Sequence, residues 1–242
     1  MVTGASSGVG RAIAVALARQ GVQLCIVGRD SARLAEAAST AQMHTPVKSF
    51  QADLTRRDAL GQLLGHLQDV GRLDILVHAA GVMHQGPMEC ASIDDLDRQY
   101  ATNVRAPYML TQCLLPLLSV ARGQVVFINS SVGNSAMRSE IGQYAATKHA
   151  LRAIADSLRE EVNPKGIRVL TVYLGRTATP MQEAIHRNER KNYQPDTLLQ
   201  PEDVAATVVF AIGLPRTAEV TDIRMRPMLK PAKGSSTSTN SM

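Results

Sequence analysis

Thr3-Gly4-Ala5-Ser6-Ser7-Gly8-Val9-Gly10 runs directly into Arg11-Ala12-Ile13-Ala14-Val15-Ala16-Leu17-Ala18, and this junction decides the reading of the chain. Glycines at 4, 8 and 10 let the backbone turn sharply and approach a pyrophosphate closely. The amphipathic stretch after them starts a helix whose free N–H groups and partial positive charge face the same point. A Gly-rich turn alone is a weak signal, because plain loops use the same residues. The strand and helix pattern of the remaining chain gives it weight.

Beyond residue 20, short β-branched runs alternate with longer Ala/Leu-rich stretches, the pattern of a parallel sheet covered by helices on both faces. Strands are expected at 22–27, 47–51, 73–78, 124–128, 167–173 and 221–226. Helices are expected at 11–20, 31–42, 56–70, 93–120, 142–163 and 201–212. Gly21 and Gly213 stand where helix ends favour a glycine, and Pro201 suits a first helical turn. The fold class is therefore α/β: a Rossmann-type, doubly wound parallel sheet in three α/β/α layers. One domain over 1–229 is expected, with a polar disordered tail at 230–242. A phosphate-binding turn should follow a buried strand of about five residues. Only Met1 and Val2 precede Thr3 here, which predicts a first strand largely missing, through a misassigned start or truncation, and weak expression and cofactor binding for this form.

Bulk properties exclude several classes. The net charge is +5, but the cations are scattered and aromatics make up only 3% of the 242 residues, so platforms for stacking nucleic-acid bases are scarce. An anionic small molecule suits the charge better. Cys25, Cys90 and Cys113 lack any paired spacing and read as reduced, mostly buried thiols rather than a disulfide framework or a metal site. No apolar run reaches membrane-spanning length, and no signal peptide is evident, so the expected location is cytoplasmic.

The spelling T-G-x-x-x-G-x-G resembles the short-chain dehydrogenase/reductase family, and the resemblance extends to about residue 229. It implies a nicotinamide cofactor held by Gly4, Ser6, Ser7, Gly8, Val9 and Gly10. Asp53-Leu54 matches the family's Asp at the adenine ring. His78-Ala79-Ala80-Gly81 stands in place of Asn-Asn-Ala-Gly, with Ala79 replacing the usual Asn. Leu174-Gly175-Arg176-Thr177-Ala178-Thr179 resembles the P-G-x-x-x-T segment, with Leu174 replacing Pro. Gly175, Thr177 and Thr179 are thereby implied at the nicotinamide end. At the end of the second strand, Gly28 occupies the place where NAD enzymes carry a carboxylate, and Arg29 can grip a 2′-phosphate, so NADP(H) is expected over NAD(H). Asp30 is expected to cap the next helix.

Tyr144 and Lys148 are spaced i, i+4 and share one helical face. A neighbouring cation should favour the phenolate and lower the Tyr144 pKa. Ser131 lies thirteen residues before Tyr144 and matches the family's Ser–Tyr spacing, and Asn103 matches its helix Asn. The resemblance then implies a tetrad of Asn103, Ser131, Tyr144 and Lys148. Tyr144 exchanges a proton with the substrate oxygen, Ser131 hydrogen-bonds that oxygen, and Lys148 holds the nicotinamide ribose. Asn103 anchors a water behind Lys148. Hydride passes directly, and no metal is expected.

The implied reaction interconverts a carbonyl and an alcohol of a small molecule, in a reductase of the ketoacyl-reductase-like or 3-hydroxy-acid type. An enoyl reductase lacks the Ser, and a sugar-nucleotide epimerase needs a longer chain. The alternative from another class is a catalytically impaired NADP-binding scaffold, suggested by the short first strand. Substrate specificity is expected in loops 82–92, 132–143 and 176–200. His84 and the Met residues at 83, 88, 137 and 181 are candidates near the pocket. The helices at 93–120 and 142–163 are expected to pair subunits into a homodimer or homotetramer.

Overall fold

The computed structural model describes residues 1–67, 70–135 and 139–229. The tail expected at 230–242 and the candidate Met137 lie outside the described residues. Seven parallel strands form one sheet in the order β3-β2-β1-β4-β5-β6-β7. They are β1 (Val2–Thr3), β2 (Leu24–Gly28), β3 (Val47–Gln51), β4 (Ile75–His78), β5 (Gln124–Ser130), β6 (Arg168–Leu174) and β7 (Asp222–Met225). The helices are α1 (Gly8–Arg19), α2 (Ser31–Gln42), α3 (Arg57–Gly65), α4 (Ile93–Tyr100), α5 (Ala106–Ala121), α6 (Gly142–Val162), α7 (Pro180–Asn188) and α8 (Pro201–Ile212).

The five inner strands are buried on both faces, whereas the edge strands β3 and β7 are partly exposed, and the pleat divides the inner side chains between two cores. Ile26, Val77 and Val126 pack with Ile13 and Leu17 of α1 and Val204 and Val208 of α8. Their chain neighbours Val27, Leu76, Val125 and Phe127 point the other way, against Leu110 and Leu114 of α5 and Leu151 of α6. This alternation inside near-continuous apolar runs is what a covered parallel sheet requires.

The first strand is short, yet it is present and paired on both edges. Val2 and Thr3 lie opposite Ile26 and Val27 on one side and Val77 and His78 on the other. The ladder continues past both ends. The Met1 ammonium donates to the Ile75 carbonyl at 2.6 Å, Val77 N–H donates to the Met1 carbonyl at 2.9 Å, and Ala5 N–H donates to the Val27 carbonyl at 3.1 Å. The expectation of a largely missing strand is therefore corrected: neighbouring strands bond the backbone of Met1, Val2, Thr3 and Ala5. Strand order reverses between β1 and β4, and the crevice at their carboxyl ends is where this topology takes ligands.

Other expectations also shift. The helix expected at 93–120 is interrupted by a π-turn, Ala101–Arg105, which widens the coil around Asn103. The loop expected at 176–200 contains α7, whose N-cap Thr179 accepts from Gln182 N–H. Gly21 is left-handed as expected, whereas Gly213 keeps a right-handed φ of −79°. Asp30 caps α2 by accepting from Arg33 N–H. Cys90 and Cys113 are exposed and Cys25 is half-buried, because Cys113 falls on the outer face of α5 and Cys90 in a surface turn; the thiols are not mostly buried.

Candidate active site

A cleft of about 490 Å³ opens at the carboxyl ends of β1 and β4. Its floor is the glycine turn, where Gly4 and Gly10 pack against backbone and Gly8 against a side chain. A Cβ on Gly4 would stand 2.6 Å from the Ala80 nitrogen, and one on Gly10 2.4 Å from the Gly4 carbonyl oxygen. One on Gly8 would stand 2.9 Å from the Thr179 methyl. The Thr3 hydroxyl ties the turn to β4 by accepting from Ala79 and Ala80 N–H and donating to the Val77 carbonyl. Ser7 is the N-cap of α1 but makes no capping bond with its side chain, so the first N–H groups of the helix face the cleft with Ser6, Ser7 and Val9. This cradle suits the pyrophosphate of a dinucleotide.

At one end of the cleft Arg29, Asp53 and Leu54 line the wall, and Arg33 joins them. Arg33 was missed because it sits one helical turn into α2, where it reads as a surface charge. Asp53 accepts from the Thr55 hydroxyl at 2.7 Å and the Thr55 amide at 3.0 Å. Gly28 has little room for a side chain: a Cβ would stand 3.1 Å from Ser6 Cβ and 3.3 Å from a Leu34 methyl. At the other end Ala79, Ala80, Gly81, Gly175, Thr177 and Thr179 line the wall.

Tyr144 and Lys148 rise from α6 on one face, with the Lys148 ammonium 5.7 Å from the Tyr144 ring centroid. Lys148 Nζ donates to the Ile128 carbonyl at 3.2 Å. Asn129, another residue the sequence reading missed, donates to the Lys148 carbonyl at 3.1 Å and thereby fastens α6 to β5. Burial pushes the Tyr144 phenol up to about 12, opposed by a hydrogen bond with the Ser130 hydroxyl. Burial likewise pulls Lys148 down to about 8. The expected lowering of the Tyr144 pKa is therefore corrected: burial of the phenol dominates, and the Ser130 hydrogen bond offsets it only in part.

The serine at the phenol is Ser130, not Ser131. Ser130 ends β5 and hydrogen-bonds Tyr144, while Ser131 opens a short 3₁₀ turn and is exposed at the cleft edge. Counting thirteen residues back from Tyr144 measured through the 132–143 loop, whose length no sheet constrains. The strand was expected to stop at 128; its continuation through Ser130 is what brings that hydroxyl to the site.

Asn103 lies behind the cleft rather than in its lining, 1% exposed. Its carboxamide accepts from Val82 N–H and donates to the Val82 carbonyl and the Thr147 hydroxyl. Three of its hydrogen-bonding positions thus anchor the segment after Gly81 to α6. His84 and Met88 do not line the cleft, whereas Met83 and Met181 do. Among the described residues no cluster of His, Cys, Asp and Glu could hold a metal, and no helix is long and apolar enough to cross a membrane.

The short chain dehydrogenase family pattern matches residues 1–190. An uncharacterized oxidoreductase of Staphylococcus epidermidis is 33% identical over 230 residues, covering 94% of this chain and 96% of its own. A short chain dehydrogenase from Burkholderia cenocepacia, solved in complex with NADP, is 28% identical with a TM-score of 0.81, covering 93% of this chain and 94% of its own. An alcohol dehydrogenase from the archaeon Thermococcus sibiricus, complexed with 5-hydroxy-NADP, superposes with a TM-score of 0.85 over 95% of this chain and 97% of its own. At 24% identity that last likeness is one of fold. The family pattern covers the glycine turn, the β4 end and the Tyr144–Lys148 face together, and the chain belongs to the short-chain dehydrogenase family of oxidoreductases.

Proposed function

We propose that the protein interconverts a carbonyl and an alcohol with NADP(H), using Tyr144 as acid and base. The observation that carries this reading is the grouping of the Tyr144 phenol, the Ser130 hydroxyl and Lys148 at one end of a cleft floored by the glycine turn. The net reaction in the reductive direction takes a carbonyl, NADPH and a proton to an alcohol and NADP⁺. The cofactor supplies the hydride when bound. Tyr144 gives its phenolic proton to the carbonyl oxygen; with a pKa near 12 it carries that proton across the neutral range. Ser130 donates a hydrogen bond to the same oxygen as negative charge grows there. Lys148 holds the ribose and supplies positive charge beneath the phenol.

Preference for NADP(H) is supported by two cations, Arg29 and Arg33, at the adenosine end and by Gly28 where a carboxylate would repel the 2′-phosphate. The scaffold alternative rested on the short first strand, and the pairing of Val2–Thr3 on both edges removes that support.

Tyr144→Phe tests the assignment. Turnover of a carbonyl panel with NADPH should vanish while NADPH affinity stays nearly unchanged, since only the proton-transfer group is lost. A variant that keeps a substantial fraction of the rate would sink the role given to Tyr144. We also infer a homodimer or homotetramer through α4, α5 and α6, supported by exposed Tyr108 and Val120 on α5. A monodisperse monomer in light scattering at micromolar concentration would refute it.

A further inference from the structure

The substrate end of the cleft is apolar, and the cation placed there is already bound. The cleft that holds the Tyr144 phenol is also lined by Met83, Val132 and Ile141 and by Met181 and Ile185, one helical turn apart on α7, with Ser131 and Gln182 among them. Arg176 also lines this end. Its guanidinium donates to both carboxylate oxygens of Glu189, at 2.8 and 3.1 Å, and to His186 Nε2 at 3.2 Å. His186 is 7% exposed, and its other ring nitrogen lies 2.8 Å from the Gln182 carbonyl. With Nε2 accepting from Arg176, Nδ1 carries the proton toward that carbonyl. Glu189 also accepts from Gln85 at 3.4 Å, which ties α7 across to the segment carrying Met83. Lys191 reaches Glu189 at 2.8 Å from the solvent side.

We propose that the substrate is an uncharged, largely apolar carbonyl compound, and that Glu189 sets this by occupying the hydrogen-bonding fork of Arg176. The inference rests on the carbonyl–alcohol reading above. A carboxylate entering this end would lose its water among Met and Ile side chains and find Arg176 engaged by an internal carboxylate. Among the described lining residues the other cation near this end is Lys148, which lies beneath the phenol. An ester or ketone of the same skeleton loses little hydration and gains contact with the polarisable Met83 and Met181. This choice sets aside the 3-hydroxy-acid type considered from sequence. Glu189 acts as a specificity-determining residue through Arg176 rather than by touching the reacting atoms.

The test compares an aryl-substituted β-keto ester with the β-keto acid of the same carbon skeleton, using NADPH and the wild-type protein. The ester should exceed the acid by about 100-fold in kcat/KM, the scale on which an apolar pocket turns away a more polar analogue of similar shape. Glu189→Gln releases Arg176, and the acid-to-ester ratio should rise at least about tenfold. Adding Arg176→Gln to that variant should return the ratio toward the wild-type value. Turnover of the acid as fast as the ester by the wild-type protein would overturn the inference alone, whether or not the variants fold. An unchanged ratio in a Glu189→Gln protein that still melts cooperatively would overturn the part given to Glu189. Oxidation of NADPH by neither compound nor by any carbonyl of a wider panel would bring down the carbonyl reading, and this inference with it.

Discussion

The Ser130 hydroxyl hydrogen-bonds the Tyr144 phenol, while the adjacent Ser131 is turned to the exposed edge of the cleft. Adjacent residues at a strand end point in opposite directions, so only one of the two can face the Tyr144 phenol. Ser130→Ala should lower kcat by about two to three powers of ten, the loss typical of one oxyanion-type donor. Ser131→Ala should change kcat by less than about threefold, because an exposed hydroxyl leaves no buried group unpaired. Steady-state rates on any accepted carbonyl check the pair, and the reverse ranking would restore Ser131.

Arg29 and Arg33 should act together on the cofactor. Arg29→Ala should weaken NADPH far more than NADH, and Arg33→Ala should do the same to a smaller degree, since its guanidinium also lies 3.6 Å from Asp30. Fluorescence titration of both cofactors decides this. Equal loss for NADPH and NADH would remove the NADP assignment. Gly28→Asp should favour NADH, but its Cβ would crowd Ser6 and Leu34, so lower thermal stability should accompany the switch.

Lys148 should leave a signature in stability against pH. Its folded pKa of about 8 lies below its ordinary value of 10.5. Between those values the unfolded chain binds more protons than the folded one, so stability should rise with pH across that window. The gain is at most about 3 kcal/mol for a shift of this size. Tyr144 works in the opposite sense higher up. With its folded pKa raised from 10.0 to about 12, the unfolded chain releases its proton first and stability should fall over that range. Chemical denaturation from pH 7 to 10 measures the first effect, and Lys148→Met should flatten it. A wild-type curve that matches the variant's would show that Lys148 is not desolvated as described.

Gly10→Ala should damage the cofactor cradle. The added methyl would meet the Gly4 carbonyl oxygen, a backbone atom that cannot rotate away. Overpacking of this kind costs about 1–3 kcal/mol. The melting temperature should drop, and NADPH binding should weaken beyond what the lost stability explains. Unchanged binding would mean that the turn is not the phosphate site.

The sequence by itself determined the layer architecture, because short β-branched runs and Ala/Leu-rich helical runs are local properties of the chain. β3, α2 and α8 fall at the boundaries expected, Val47–Gln51, Ser31–Gln42 and Pro201–Ile212. The glycine turn and the Tyr144–Lys148 pair were legible for the same reason, since each sits inside one short segment. What only the tertiary structure decided depends on contacts between distant segments. Val2 and Thr3 form a strand because β2 and β4 bond them from both sides. Helix α7, with a strongly polar sequence, is held against the cleft by Arg176 and Glu189 on either side of it. The choice of Ser130 over Ser131 depends on how far β5 runs beside β6, where Ser130 pairs with Leu174. A hydrogen-bonded strand partner fixes that register. The spacing of residues across a loop does not, because a loop of any length can join the same two ends.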